Sequence, residues 1–185
     1  MSQFDTATLA GGCFWCTEAI FQRLKGVESV MPGYAASRVE NPSYEAVCSG
    51  ETGAAEAIQI TYDPSVISYE KLLEIFWHLH DPTTLNRQGN DIGTQYRSAI
   101  FYHTDEQRRI ALASKEELEK SGTYKKPVVT EIVPFTNFFP AEDYHKDYYD
   151  SNRYQPYCQF VIDPKIQKLL KAYKREVKDE RISRA

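Results

Sequence analysis

Residues 6–24 read TATLAGGCFWCTEAIFQRL and contain two patterns in succession. The first five residues are short and apolar, which is typical of a β-strand, and the strand ends at Gly11 and Gly12. The residues that follow are spaced as in a helix, with Ile20, Phe21 and Leu24 on one face. The stretch therefore predicts a strand that turns at two glycines directly into a helix over residues 14–24.

The same alternation of elements continues along the chain. Further strands are predicted at residues 27–34, 55–62, 97–103 and 128–133, with helices that begin at the capping residues Ser68 and Thr104. The first six elements follow the order β-α-β-β-α-β, which is the split βαβ plait. We therefore predict an α/β fold, an α+β two-layer sandwich with a ferredoxin-like core.

The C-terminal third is predicted as a long segment added to that core. It contains a helix over residues 141–150, a short strand over residues 158–162 and an amphipathic helix over about 164–180. Residues 35–52 and 82–94 form two long polar loops, and loops of this length in a compact fold are usually functional. The whole chain, 1–185, is predicted as a single catalytic domain with its core at about 5–162.

Composition excludes several classes of protein. A net charge of -4 and the lack of a long basic face argue against binding to nucleic acid. No apolar run is long enough to cross a membrane, and the N-terminus lacks the pattern of a secretion signal. We therefore expect a cytoplasmic protein, a monomer, whose four cysteines are reduced at rest and serve chemistry more than structure.

Cys13 is the strongest candidate for a catalytic residue. The glycines before it allow a tight turn, and the start of a helix offers free N–H groups that favour a thiolate. We therefore expect a lowered pKa and a nucleophilic sulfur. The alternative is that Cys13 is a small buried apolar residue.

Two other kinds of function are compatible with these cysteines. Cys13 and Cys16 form a C-x-x-C pair, which is also found in general thioredoxin-like dithiol oxidoreductases. A metal-binding or interaction module is the second possibility. It is disfavoured because Cys48 and Cys158 stand alone, so we expect no metal site.

Five segments together resemble the peptide methionine sulfoxide reductase A family, in its GCFWC subtype. They are GCFWC (residues 12–16), NPSYEAVCSG (41–50), TGAAE (52–56) followed by YDP (62–64), QGNDIGTQYRS (88–98) and YQPYC (154–158). The resemblance implies an enzyme that reduces methionine S-sulfoxide, free or in proteins, to methionine.

The resemblance also implies roles for individual residues. Cys13 would attack the sulfoxide sulfur, and Glu56 would donate a proton or hydrogen bond to its oxygen. Tyr44 and Tyr96 would hold the same oxygen through their hydroxyls. These roles are chemically reasonable, because a sulfoxide oxygen leaves only when an acid protonates it, and a carboxyl in a desolvated site can stay protonated.

Three more residues are implied to bind the substrate. Phe14 and Trp15 would form an apolar wall for the methyl group, and Asp91 would orient the substrate. Many members of the family have Gly at the position of Cys16 and His at the position of Ala54, so this chain departs from the common pattern near both the nucleophile and Glu56.

Turnover would need a second thiol to form a disulfide with the oxidised Cys13. Cys158 is the first choice for this resolving role because its segment resembles that of the family, and Cys16 is its rival. Cys48 is expected to be structural. The resemblance further implies thioredoxin as the external reductant and partner, with dithiothreitol as a substitute in vitro, and no bound cofactor.

Overall fold

The structure is a computed structural model that describes residues 3–179. Its strands are β1 (Asp5–Gly11), β2 (Val27–Ala35), β3 (Ala55–Tyr62), β4 (Arg87–Gln88), β5 (Asp91–Ile92), β6 (Ser98–Tyr102), β7 (Glu131–Pro134) and β8 (Phe138–Pro140). Its helices are α1 (Phe14–Phe21), α2 (Tyr44–Cys48), α3 (Tyr69–Leu79), α4 (Asp105–Lys120), α5 (Tyr148–Ser151) and α6 (Asp163–Ala172). A π-helix over Cys158–Ile162 leads directly into α6.

Six strands form one sheet in the order β7-β6-β1-β3-β2-β8. All neighbours are antiparallel except β6 and β7, which are parallel. The four central strands, β6, β1, β3 and β2, are the four strands among the first six predicted elements. The connection through α1 joins β1 to β2 and passes over β3, and the connection through α3 joins β3 to β6 and passes over β1. This arrangement confirms the predicted split βαβ core, to which β7 and β8 add one strand at each edge.

The two faces of the sheet carry side chains of different size, because successive residues of a strand point to opposite sides. Leu9, Ile58 and Ile60 belong to the main core cluster with α1 and α3. Ala10 and Ala57 belong to a second, smaller cluster on the other face. Helix α1 is buried on almost every side, because it contacts the sheet and also α5, α6 and the π-helix.

The predicted strand over residues 158–162 is wrong. This segment is a π-helix whose buried residues continue into α6: Cys158, Ile162, Ile166 and Leu169 are all fully or almost fully buried. They recur every three or four residues, which is the spacing of a helix and not of a strand. The face that they form packs against α1.

Other boundaries differ from the prediction. The helix predicted for residues 141–150 is divided into a 3-10 turn, Asp143–His145, and α5, because Asp147 adopts a left-handed conformation with φ 53°. The terminal helix ends at Ala172 instead of continuing to about 180, and residue 180 lies outside the described residues. Helix α1 ends at Phe21, three residues before the predicted end.

The two long loops contain short elements that position functional side chains. The first contains α2, whose start is capped by Ser43, which accepts a hydrogen bond from the backbone of Ala46. The second contains the β4–β5 hairpin and a 3-10 turn, Thr94–Tyr96. In the part of the chain that the structure describes, no helix is both long and apolar enough to cross a membrane.

Candidate active site

Cys13 lies where the sequence predicts it, between β1 and α1. It is the N-cap residue of α1, and its carbonyl accepts hydrogen bonds from the backbone of Cys16 and Thr17 at 3.1 and 3.4 Å. Gly12 before it has φ 91°, and a Cβ at this position would lie 2.7 Å from the side chain of Gln88. The glycine is therefore needed both for the turn and for the close approach of the β4–β5 hairpin to the nucleophile.

The thiols of Cys13 and Cys16 form a hydrogen-bonded pair. The prediction that the helix start lowers the pKa of Cys13 is wrong, because burial, together with the bond to Cys16, raises that pKa well above its ordinary value. The bond from Cys13 instead lowers the pKa of Cys16 to about 7. The two thiols therefore lose their first proton easily and their second proton with difficulty. Because the thiols are coupled, these two steps describe the pair and not either cysteine alone. Cys13 keeps the larger exposed fraction, 8% against 1% for Cys16.

Glu56 points from β3 toward the start of α1. Its Oε1 atom accepts a hydrogen bond from the backbone N–H of Phe14, the residue after the nucleophile, at 3.3 Å. Its Oε2 atom is buried and has no hydrogen-bond partner among residues 3–179. Burial, strengthened by the negative charge of Asp91, raises the pKa of Glu56 to about 8, so the carboxyl is protonated at neutral pH.

The unpartnered oxygen of Glu56 is the natural place for its proton. The other oxygen already accepts from Phe14, so a proton on Oε2 can be donated to a bound group. Ala54 is buried two residues before Glu56, directly before the start of β3. In this chain the backbone of Phe14 therefore supplies the bond that orients the carboxyl.

Tyr44 and Tyr96 come from the two long loops and meet near Glu56. Burial raises the pKa of both phenols, and the charge of Glu56 acts on both in the same direction. Cys13 acts on Tyr96 as well, so this phenol lies near both the carboxyl and the Cys13 thiol. Cys48, at the end of α2, is exposed and shares a hydrogen bond with the Tyr44 hydroxyl. The structure thus brings Cys13, Glu56 and the two phenols into one site.

Asp91 is connected to the thiol pair through Tyr157. The Tyr157 hydroxyl donates a hydrogen bond to Asp91 Oδ2 at 2.7 Å, and its oxygen lies 3.6 Å from Cys16 Sγ. The Tyr157 ring also meets Trp15 edge to face, with 5.7 Å between centroids. Asp91 therefore joins the hairpin to the C-terminal segment beside the two sulfurs.

Phe14 and Trp15 occupy different environments. Phe14 is fully buried against Tyr34, with 5.7 Å between ring centroids. Trp15 is half-buried and stacks on Tyr148 with 3.8 Å between centroids and 8° between planes. Trp15 therefore presents the more accessible apolar surface next to Cys13.

Cys158 is the first residue of the π-helix and lies near Cys16. It is fully buried, and its pKa is raised by burial and by the charge of Cys16. Tyr148 is influenced electrostatically by both Cys158 and Cys13. Three of the four cysteines are therefore gathered around the start of α1, and all four are free thiols.

Three residues of this region were not found from the sequence. His145 contacts Phe14, Trp15 and Tyr44, and Glu18 on α1 accepts hydrogen bonds from the backbone of Asp147 and Tyr148. Tyr148 itself covers one face of Trp15. The sequence holds no local signal for these contacts, because they join residues about 130 positions apart. Among residues 3–179, no group of three or more His, Cys, Asp or Glu side chains is arranged to hold a metal ion.

Comparisons with known proteins agree with this geometry. The family model described as peptide methionine sulfoxide reductase matches residues 5–178. The peptide methionine sulfoxide reductase MsrA of Saccharolobus solfataricus is 58% identical over 174 residues, which cover 94% of this chain and 97% of the relative.

Solved structures give the same result. Mxr1 from Saccharomyces cerevisiae in its reduced form is 37% identical, with a TM-score of 0.79 over 85% of this chain and 90% of the other. Mxr1 in complex with Trx2 is 28% identical with a TM-score of 0.57, over 79% and 85% of the two chains. A matching family model over nearly the whole chain, a relative of high identity and the shared fold lead to one conclusion: the chain belongs to the peptide methionine sulfoxide reductase A family of oxidoreductases.

Proposed function

We propose that this protein reduces methionine S-sulfoxide, free or within proteins, to methionine by attack of Cys13 on the sulfoxide sulfur. The observation that carries the proposal is the buried, unpartnered Oε2 atom of Glu56, on a carboxyl whose pKa is raised to about 8, beside the thiol pair. A sulfoxide needs both a nucleophile for its sulfur and an acid for its oxygen, and the site supplies both.

In the first step, Cys13 passes its proton to the Cys16 thiolate through their hydrogen bond and attacks the sulfoxide sulfur, while the proton of Glu56 passes to the sulfoxide oxygen. The attack forms a bond between the two sulfurs, and the bond between the substrate sulfur and its protonated oxygen breaks. That oxygen then adds as hydroxide to the Cys13 sulfur, the bond between the two sulfurs breaks, and the products are the Cys13 sulfenic acid and methionine. Tyr44 and Tyr96 keep their protons at neutral pH, because burial raises their pKa, so both hydroxyls can donate to that oxygen. Trp15 and Phe14 bind the methyl group, and Asp91 orients the substrate.

In the second step, a thiol attacks the Cys13 sulfenic acid, a disulfide forms and water leaves. Cys158 and Cys16 remain the two candidates for this resolving thiol. The hydrogen bond between the Cys13 and Cys16 thiols supports Cys16 for the first disulfide. The burial of Cys158 next to Cys16 supports Cys158 as the thiol that then exchanges with this disulfide.

Thioredoxin is the proposed external reductant. A related protein, Mxr1, has been solved in complex with Trx2. Four free thiols in the described structure also suit a compartment that keeps cysteines reduced, and we propose the cytoplasm. A general dithiol oxidoreductase that uses Cys13 and Cys16 is the alternative, supported by their hydrogen bond, but it gives no role to Glu56.

The proposal predicts which substrate is consumed. We expect the protein with dithiothreitol to consume the S epimer of racemic methionine sulfoxide and leave the R epimer, as measured by chiral chromatography. Cys13→Ser should abolish turnover because it removes the nucleophile, whereas Cys48→Ser, a control at the exposed cysteine, should retain it.

Two results would contradict this proposal: consumption of both epimers at equal rates, or full activity in Cys13→Ser. Reduction of insulin disulfides that is lost in Cys16→Ser but unaffected by Glu56→Gln would support the dithiol alternative instead.

A further inference from the structure

His145 lies inside a cage of aromatic rings next to the proposed sulfoxide site. It is fully buried, and its ring centroid is 4.0 Å from that of Tyr144, 4.7 Å from that of Tyr44 and 5.0 Å from that of Phe14. A fourth ring, Trp15, lies at 5.8 Å. Histidine is an unusual choice for a site that apolar packing alone could fill, which indicates that its ring nitrogens have a role.

The imidazole forms one specific hydrogen bond. Trp15 Nε1 donates to His145 Nδ1 at 3.0 Å. An indole N–H can only donate, so Nδ1 must be an unprotonated acceptor and the imidazole proton must lie on Nε2. Nε2 is buried and has no hydrogen-bond partner in the described part of the chain. The bond therefore requires a neutral imidazole in one tautomer.

The same segment of chain holds Trp15 at a second point. The ring of Tyr148 stacks flat on the indole, while His145 binds its edge. The backbone of Tyr148 donates to the buried carboxyl of Glu18, which lies one turn after Trp15 on α1. The position and orientation of the indole are thus fixed by groups on α1 and by residues 145–148, which lead into the start of α5.

We propose that His145 is a positioning residue, which holds the indole of Trp15 in the orientation that lines the sulfoxide site. The proposal rests on the proposed function, because it assigns to Trp15 the wall against which the substrate methyl group lies. His145 acts through Trp15 and needs no contact with the substrate.

Acid should release this bond. A proton added at Nδ1 would place two N–H donors against each other and would put a charge inside the aromatic cage. Burial lowers the pKa of His145, while the nearby carboxylates of Glu142 and Glu45 act in the opposite direction. The groups that face the imidazole are otherwise the uncharged rings of the cage.

Tryptophan fluorescence tests the positioning role without any need for activity. The chain has two tryptophans, so Trp77→Phe leaves Trp15 as the reporter. In that background the emission should change in one protonation step with a midpoint below 6.5, the ordinary pKa of histidine. Replacement of His145 by a residue that cannot titrate should remove this pH-dependent change in emission.

Two substitutions separate the hydrogen bond from the ring. His145→Asn keeps an acceptor close to the position of Nδ1, and His145→Phe keeps an aromatic ring without an acceptor. We expect His145→Phe to shift the neutral-pH emission of Trp15 and to raise KM for the sulfoxide about three- to tenfold, as expected for one lost hydrogen bond, with a smaller change in kcat. His145→Asn should restore both values and lack the acid step.

Three results would overturn the proposal: His145→Asn behaving like His145→Phe, unchanged emission and KM in His145→Phe, or an acid step that persists in His145→Asn. If the unsubstituted protein instead fails to reduce the sulfoxide, the proposed function is wrong, while the emission data still decide whether His145 holds Trp15.

Discussion

The proposed acid and the thiol pair that contains the proposed nucleophile owe their ionisation to opposite effects. Burial keeps Glu56 protonated up to about pH 8, whereas the bond between two thiols lets one of them ionise at about 7. A thiolate and a carboxylic acid therefore coexist best between these two values. Each group would be in the wrong form if it had the pKa of a solvated side chain.

This pair predicts a bell-shaped dependence of kcat/KM on pH for the sulfoxide. The rate should rise as the thiol pair loses its first proton at about 7 and fall as Glu56 loses its proton at about 8. Glu56→Gln cannot ionise or transfer a proton, so it should slow the reaction about 10²- to 10⁴-fold and remove the alkaline limb.

The exposed Glu28→Gln is a matched control, and its profile should equal that of the unsubstituted protein. Steady-state rates measured from pH 5 to pH 10 at subsaturating sulfoxide check the prediction. An alkaline limb that survives in Glu56→Gln would show that another group supplies the proton.

At the scale of single residues, the sequence indicates which side chains are candidates for the reaction but not how they ionise. Cys13 stands behind two glycines and Glu56 belongs to a motif, so both could be named. The shift in the pKa of Cys13 was predicted in the wrong direction, because a helix start is visible in the sequence and burial of the sulfur is not. His145 and Glu18 were missed because their partners are distant in the chain.

Among the secondary-structure elements, the segment that carries Cys158 is the one on which the proposed resolution of the sulfenic acid depends. Its π-helix packs on α1 and is tied to the hairpin by the bond between Tyr157 and Asp91. Cys158 is fully buried in this state, so an external thiol can reach a disulfide at Cys158 only if the segment moves. Wide π-turns are often found at functional positions of this kind.

Two cysteine variants test that sequence of events. After one equivalent of sulfoxide without reductant, Cys158→Ser should still form the Cys13–Cys16 disulfide but should turn over slowly with thioredoxin. Cys16→Ser should form a Cys13–Cys158 disulfide more slowly than the unsubstituted protein forms its first disulfide. Peptide mass spectrometry at successive times identifies each disulfide.

The order of events is wrong if Cys158→Ser accumulates sulfenic acid without any disulfide. In that case Cys158 is the first resolving residue, and the hydrogen bond between the other two thiols has no part in resolution. Cys48→Ser again serves as the control and should leave both rates unchanged.

Elements whose pattern is local were predicted well, and those that depend on distant contacts were not. The strand and helix around Cys13 carry their own apolar periodicity and turn glycines. The π-helix has only five residues, and its buried face becomes clear only against α1. Strand β8 was not predicted, because three residues receive their extended form from pairing with β2.

For the whole molecule, the core is formed by the first part of the chain, whereas the surroundings of the site also depend on its last third. The central sheet comes from the first six elements, so its topology could be predicted from their order. The last third of the chain returns to this core through β8, α5 and the π-helix, and it brings His145, Tyr148 and Tyr157 to the start of α1. Such long-range contacts leave no periodic signal in the sequence.

Global stability should depend on the buried carboxyls. The pKa of Glu56 is about 8 in the folded protein and that of Glu18 about 7, both above the ordinary value of 4.5. Their protonated forms therefore stabilise the fold fully below pH 4.5, and this contribution is lost as the pH rises to 8. For Glu56 the loss is about 5 kcal/mol.

Urea unfolding at pH 5 and pH 8.5 measures this effect. The free energy of unfolding should fall with pH in the unsubstituted protein and should fall less in Glu56→Gln. Glu28→Gln should reproduce the unsubstituted slope, and an equal slope in Glu56→Gln would mean that this carboxyl is ionised in the folded state.

The exposed thiol of Cys48 affects how any chemical labelling of this protein is interpreted. Alkylating reagents reach it before the three enclosed cysteines, and an adduct there would take away the partner of the Tyr44 hydroxyl. Inactivation by such a reagent would then report the loss of this contact to Tyr44 and not modification of Cys13. Labelling studies should therefore begin from a chain in which position 48 is serine.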